Sequence, residues 1–362
     1  MITNIKLTNF RNIESLYIEP CPGINILHGD NAQGKTNILE AIYICATGRS
    51  HRAARDRDLV LVGEHIAQIA LHTAKDRLNM QIRAKDNGQK SASINGLTIS
   101  RLGDLIGIVN IVIFSPEDLS LIKAGPNLRR RFMDMELCQI YPNYYFILRQ
   151  YYRVLRQRNN LLKELQKNPK DIGSLEIWDE QLVEFGCKIM EYRRIFFAEL
   201  QNIANEIHSD LTYNSEDLEI IYKNNIASEI FMEKLTKARD NDIFRGTTGH
   251  GIHRDDARIN INGRDAQIFA SQGQQRTAAL ALKLSEAKLI ENETGQPPVM
   301  LLDDVFSELD TKRQKYLMDK ITNCQVFLTA TGHNDFAQLK SHPAQIYIIK
   351  EGKAFIDTNK SL

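Results

Sequence analysis

The chain has 362 residues, 43% of them hydrophobic and 25% charged, with a formal net charge of +1. That balance excludes a global attraction to nucleic acid or to an anionic membrane, so any such partner must be held by a local patch. No apolar run approaches the roughly 20 residues of a membrane span. MITNIKLTNF at the start has no apolar core like that of a signal peptide, and the five cysteines (Cys21, Cys45, Cys138, Cys187, Cys324) form no CxxC pair and no metal spacing. The expectation is a soluble cytoplasmic protein with reduced thiols.

In chain order, Ile5, Leu7 and the run Ile24–Leu27 read as strands. A glycine turn follows, then a helix with Ile38, Leu39, Ile42 and Tyr43 on one face, stopping near Gly48. From Gln68 to Ser100 the text alternates, with Asn87-Gly88 and Asn95-Gly96 as hairpin turns, which predicts a small antiparallel sheet. Residues 106–114, IGIVNIVIF, read as a buried strand. The character then changes. Leu175, Trp178, Leu182, Phe185, Ile189, Tyr192, Phe196, Leu200, Ile203 and Ile207 recur every three or four residues, as in a long helix with one apolar seam. A second seam runs through Leu148, Tyr152 and Leu155 with Ile147, Tyr151, Val154, Leu161 and Leu165, and NPKDIGS (168–174) breaks the chain between the two. An antiparallel helical hairpin follows, too short for an extended coiled coil. After about Arg245, strands return at 299–304, 324–332 and 346–356, the last a hairpin around Glu351-Gly352. Residues 1–125 and 245–362 therefore form one α/β domain, with a helical arm, 126–244, inserted.

Gly29-Asp30-Asn31-Ala32-Gln33-Gly34-Lys35-Thr36 fits G-x-x-x-x-G-K-[ST] between a strand and a helix. Glycines let successive N–H groups turn toward phosphates, lysine neutralises the outer ones, and threonine places a hydroxyl on Mg²⁺. In VMLLDD, Asp303 leaves the end of a buried strand, where it can hold the metal, and Asp304 can orient an attacking water. Farther away, FASQGQQRT opens a helix at Ser271 and Gly273, which is either a second anion site or an ordinary serine-capped start.

Order along the chain decides between those two. SQGQQ, a helix, VMLLDD and SELD (307–310) resemble the signature, Walker B and D-loop of ABC-type ATPases. With LTNFRNIESL, FSPEDLSLIKAGPNLRRRFMD and GHGIHRDD, they resemble the RecF family of SMC-like ATPases over nearly the whole chain. The resemblance implies an ABC-type P-loop ATPase head with an antiparallel β lobe and an inserted helical arm. It also implies ATP and Mg²⁺ as ligands, ATP-dependent homodimerisation on DNA in recombinational gap repair and replication restart, and work with RecR and RecO in loading RecA. Carried onto this chain, Gly29 to Thr36 and Asn37 contact phosphates and metal. Thr36 and Asp303 hold the metal, Lys35 and Asp304 serve catalysis, and Ser271, Gln272, Gly273 and Gln274 cap the nucleotide of a second protomer. Arg11 and Asn12 either approach the nucleotide or form a surface turn. There are departures from the wider ABC pattern: Gln272 replaces a glycine, the catalytic acid is an aspartate, no glutamine stands near FSPEDL, and Thr331 or His333 could be the switch residue. A slow ATPase is expected.

Between Lys123 and Lys163 the chain has nine basic residues and two acidic ones. Arg149, Arg153, Arg156 and Lys163 share one helical face, either as a track for a DNA backbone or as a solvated side. GRSHRAARDRD (48–58) is a weaker basic candidate, and His250, His253, Asp255 and Asp256 read as a packed, hydrogen-bonded loop near the nucleotide rather than a metal cluster. Two other functions use the same phosphate loop. A transporter ATPase subunit carries its signature much closer to that loop; a small-molecule kinase needs neither SQGQQ nor SELD.

Overall fold

A computed structural model of the chain describes residues 1–53, 55–85, 88–331 and 344–357. The chain divides into two compact units: Met1–Asp118 with Glu286–Leu362, and Leu119–Ser285. In chain order the first segment holds β1 (Ile2–Phe10), β2 (Ile13–Ile18), β3 (Ile24–His28), α1 (Lys35–Thr47), β4 (Ile66–Thr73), β5 (Arg77–Arg83), β6 (Lys90–Ile94), β7 (Leu97–Thr98) and β8 (Ile111–Phe114). Then come α2 (Leu119–Lys123), α3 (Pro126–Ile140), α4 (Pro142–Lys167), α5 (Leu175–Thr212), β9 (Leu218–Lys223), α6 (Phe231–Arg245), β10 (Asp256–Ile261), β11 (Arg264–Asp265), α7 (Ala266–Phe269) and α8 (Gln272–Thr294), within which the unit boundary falls. The chain closes with β12 (Val299–Leu302), α9 (Val305–Glu308), α10 (Thr311–Lys320), β13 (Val326–Ala330), β14 (Ala344–Lys350) and β15 (Lys353–Ile356).

The first unit has two sheets. One is ordered β15-β14-β3-β13-β12-β8 and is parallel except for β15; the other, β2-β1-β4-β5-β6-β7, is antiparallel. β12 is buried at every residue, as expected of an apolar strand inside a parallel sheet. The sequence suggests an amphipathic α1, but the helix is buried on all sides. Its apolar residues join one cluster with side chains from both sheets, so no solvated face survives. Gly48, at φ 76°, ends it by donating its N–H to the Ile44 carbonyl at 2.7 Å.

Two expectations meet differences. The strand expected over 106–114 is confined to Ile111–Phe114, because Gly107 turns the chain at φ 89°. The Asn95-Gly96 turn lies where alternation places it, between β6 and β7; Asn87 is outside the described residues. The arm was expected to end near residue 245, yet the second compact unit extends to Ser285. It takes in β10, β11 and the SQGQQ turn, since β10 pairs with β9 and carries that segment with it.

In the second unit α4 and α5 form the expected helical hairpin. Their shared interior also holds charge. Arg158, fully buried, donates to Asp179 at 2.6 Å and to Asp242 at 2.8 Å, while Arg193, equally buried, bonds Asp255 at 2.8 Å and Asp134 at 2.7 Å. Among the described residues no helix is long and apolar enough to cross a membrane.

Candidate nucleotide-binding site

The site lies in the first unit and begins where β3 ends. A Cβ on Gly29 would collide with the Ile349 carbonyl oxygen, so only glycine lets the turn pass β14. Ala32 takes the left-handed conformation at φ 64°, and Gly34, at φ 108°, starts α1. Neighbouring turns brace the loop. Asn12 Nδ2 donates to the Ala32 carbonyl at 3.1 Å, Gln33 Oε1 accepts the Glu351 N–H at 2.7 Å, and the Gln33 carbonyl accepts the Gly352 N–H at 3.2 Å. Gln33 is thus a brace between two turns. Lys35 arcs over the loop, its Nζ donating to the carbonyls of Gly29 at 2.5 Å and Asp30 at 2.8 Å. Burial lowers the pKa of this ammonium, against the opposing charges of Asp304, Asp30 and Asp303.

Asp303 leaves the end of β12 with its N–H on the Phe114 carbonyl at 2.8 Å. Its Oδ1 accepts two hydroxyls, Thr36 Oγ1 at 2.8 Å and Thr329 Oγ1 at 2.9 Å. Burial pushes the Asp303 carboxyl upward and the two hydroxyls pull it back without cancelling the shift. Thr329 has a second duty, since its oxygen accepts the Asp304 N–H at 2.8 Å. Asp304 itself is exposed and left-handed at φ 52°, the start of the short α9. Sequence reasoning missed Thr329. Its only signal was a polar residue inside the apolar run CQVFLTATG.

These groups surround a cleft of about 390 Å³ lined by Asn12, residues 31–37, Arg52, Asp303, Asp304 and residues 329–331. One end offers backbone N–H groups at a helix start with Lys35 and Arg52; the other offers hydroxyl and carboxylate oxygens. That donor set suits a polyphosphate and a hard divalent cation such as Mg²⁺.

Arg11 is not part of the cleft lining. Its guanidinium forms two 2.9 Å bonds to the fully buried Glu40 of α1 and a third, also 2.9 Å, to the Asp58 carbonyl. Burial raises Glu40, but its bonds from Arg11 and Ser50 outweigh that and hold it below the usual carboxylate value. Its neighbour Asn12 does reach the cleft and accepts a 2.8 Å bond from Asn37. The arginine that lines the cleft is Arg52, from the GRSHRAARDRD stretch. Thr331 lies at the rim; His333 is outside the described residues.

The other candidates belong to the second unit. Ser271 and Gln274 form a reciprocal cap at the start of α8. The Ser271 N–H donates to Gln274 Oε1 at 2.9 Å, and the Gln274 N–H to Ser271 Oγ at 3.3 Å. Gln274 Nε2 also holds Glu216 at 2.9 Å. Ser271, Gln272 and Gly273 are exposed. Back in the first unit, in the aspartate loop SELD, Asp310 is the N-cap of α10.

Arg149, Arg153, Arg156 and Lys163 are all exposed on α4, without an ion-pair partner among the described residues. Two others of the nine basic residues are spent inside the fold: Arg158 as above, and Arg129 on Asp256 at 2.7 Å. The histidine–aspartate loop is a packed network. His253 Nε2 donates to the Thr248 carbonyl at 3.1 Å and Nδ1 accepts from Tyr151 at 2.8 Å, and burial lowers the imidazole to about 4, leaving it neutral.

Residues 1–354 match the model of the RecF/RecN/SMC N-terminal domain. The chain is 44% identical over 356 residues to the DNA replication and repair protein RecF of Lachnoclostridium phytofermentans, covering 97% of this chain and 98% of that one. It is 41% identical to the RecF of Clostridium tetani, covering 96% and 98%. A solved structure of the recombination mediator protein RecF with ATP, of the RecFOR pathway, superposes with a TM-score of 0.90 at 37% identity, covering 99% of this chain and 97% of that one. An Smc head domain from Pyrococcus furiosus shares the fold, with a TM-score of 0.59 at 16% identity and coverage of 98% and 95%.

Proposed function

The chain belongs to the RecF family, and on that premise we propose that it is an ATP-gated DNA-binding protein of recombinational gap repair and replication restart. Two protomers close on ATP, each completing the other's site with Ser271 and Gly273. Residues 29–37 would hold the phosphates, Lys35 and Arg52 would neutralise them, and Thr36 and Asp303 would hold Mg²⁺. The metal, when bound, draws charge from the phosphate oxygens. This chain's own contribution is position. The Thr36 and Thr329 hydroxyls fix one oxygen of Asp303, and the same Thr329 oxygen fixes the backbone of Asp304, so the metal ligand and the water-orienting acid share one anchor. Asp304 reaches less far than a glutamate would. Hydrolysis is accordingly slow, at or below the low end of the ~1–10³ s⁻¹ typical of enzymes, and acts as a release step.

The exposed turn Ser271–Gly273 is the observation that carries the reading. A Cβ on Gly273 meets nothing nearer than Ser271 Oγ at 3.9 Å, so the helix start is open to a second copy. The exposed, unpaired stripe on α4 supports a sequence-independent grip on DNA. On the same reading the protein works in the cytoplasm with RecR and, through it, RecO and RecA at gapped or junction DNA. A transporter motor would need a membrane partner and a kinase an acceptor pocket; neither accounts for an ATPase head whose motifs are split by a helical arm.

The test is the mass in solution by light scattering, with and without ATP and gapped DNA. ATP should double the mass and DNA should retain the doubled species. A wild-type protein that stays monomeric with saturating ATP and DNA would remove the sandwich from the reading.

A further inference from the structure

A different part of the second unit presents an incomplete sheet. Its order is β11-β10-β9, so β9 is an edge. β9 pairs with β10 in unbroken antiparallel register from Leu218↔Ile261 to Lys223↔Asp256. Alternate residues of an antiparallel strand turn their N–H and C=O outward. Here these are Leu218, Ile220 and Tyr222, as the outward bonds of the first two show. Asn205 Oδ1 accepts the Leu218 N–H at 3.0 Å, Gln201 Nε2 donates to the Leu218 carbonyl at 3.0 Å, and Gln201 Oε1 accepts the Ile220 N–H. Two amide side chains of α5 thereby stand in for a neighbouring strand. The substitution stops halfway. The Ile220 carbonyl and the Tyr222 N–H and carbonyl have no hydrogen-bond partner among the described residues.

Beside that open half lies a groove of about 590 Å³ between α5 and β9. Phe197 and Met190, 5% and 4% exposed, form an apolar floor, and Phe197 stacks on Tyr222 with ring centroids 5.4 Å apart. The rim carries three carboxylates, Glu191, Glu219 and Glu229, against one guanidinium, Arg194, which is already paired with Glu191 at 2.7 Å.

We infer that the open half of the β9 edge takes an extended, basic peptide segment of a partner protein by strand addition. Main-chain bonds to Ile220 and Tyr222 supply two rungs of ladder, the apolar floor receives alternate side chains, and the acidic rim selects lysine or arginine on the others. At about 3.4 Å per residue the open edge fits a segment of roughly four to six residues. An unprotected edge is ordinarily a hazard that folds cover or charge. Here cover is provided up to the point where the groove opens and no farther.

The test uses a labelled alternating lysine–valine hexapeptide and its glutamate–valine counterpart on the full chain, read by fluorescence anisotropy and by hydrogen exchange at the Tyr222 amide. The basic peptide should bind at least tenfold tighter and slow Tyr222 exchange. N-methylation of its alternate, sheet-facing amides should abolish both effects. Glu191→Lys with Glu229→Lys, at exposed positions that leave the fold intact, should remove the tenfold preference. No slowing at Tyr222 with either peptide overturns the inference. Equal binding of both peptides overturns the basic partner. Slowing that rises with protein concentration and no peptide assigns the edge to a second copy, which also overturns it.

Discussion

Thr329→Val isolates the group that ties the two acids together. Valine keeps the β-branched shape on a buried strand and removes one hydroxyl, which donates to Asp303 at 2.9 Å and accepts from the Asp304 N–H at 2.8 Å. A bond to an ionised group is worth about 1.5–3 kcal/mol. The Asp304 N–H belongs to an exposed residue and can turn to water, so its loss adds at most about 1 kcal/mol. The structure therefore predicts a destabilisation of roughly 1.5–4 kcal/mol at neutral pH. The sign of the pH dependence follows from Asp303, whose pKa burial raises. A carboxyl with a raised folded pKa holds its proton more tightly in the native state, so its contribution to stability falls as pH rises from the unfolded value through the folded one. Metal binding needs the ionised form, so Mg–ATP affinity falls as pH drops through that raised value. Removing a hydroxyl that favours the carboxylate raises it further, and the midpoint for Mg–ATP binding should move to higher pH. Urea denaturation at several pH values and titration of a fluorescent ATP analogue with Mg²⁺ measure both quantities, with Thr329→Ser as the variant that restores the bonds. Unchanged affinity and an unchanged pH midpoint in Thr329→Val would refute Asp303 as the positioned metal ligand.

The remaining predictions separate roles that the sequence left together. Arg11→Ala should destabilise the first unit by roughly 3 kcal/mol, because it strands the buried Glu40, whereas Arg52→Ala should leave stability within about 0.5 kcal/mol and weaken ATP binding about tenfold or more; denaturation and nucleotide titration of the pair decide. Ser271→Arg should leave monomer affinity for ATP intact and abolish the ATP-induced dimer in light scattering; a normal dimer would refute the trans assignment. Asp304→Asn should bind ATP and dimerise but hydrolyse it at least tenfold more slowly in single turnover, with longer residence on DNA; hydrolysis at the wild-type rate would end its catalytic assignment. Reversing Arg149, Arg153 and Arg156 to glutamate should flatten the salt dependence of DNA binding by roughly 0.7–0.9 per lost phosphate contact, for every sequence alike; an unchanged slope would return the stripe to a solvated face.

What could be read from the sequence was whatever has a local cause. The phosphate loop announces itself because strand, glycines, lysine and helix start are contiguous, and the Asp303 strand is apolar for its whole length. Thr329 was invisible for the opposite reason. It is 26 residues from Asp303, and only the pairing of β12 with β13 brings the two side chains together. The same limit explains the arginines. Arg11 and Arg52 flank α1 in sequence and both carry a free charge on paper, yet one meets a buried glutamate and the other a cleft.

The helical unit makes the point most sharply. A periodicity argument treats every basic residue of α4 as solvated, because a charge inside a helix seam is costly unless it is paired. Arg158 lies between Arg156 and Lys163 in sequence but turns inward to Asp179, Asp242 and Thr248, with Arg239 closing on the far side of Asp179 at 2.8 Å. Its partners come from α5, α6 and the loop after α6, so one buried guanidinium ties three helices together. The exposed arginines of α4 are thereby held at a fixed rotation about the helix axis. A backbone-tracking stripe needs that fixed rotation if its charges are to meet successive phosphates, and the interior ion pairs supply it from the side of the helix that DNA would never touch.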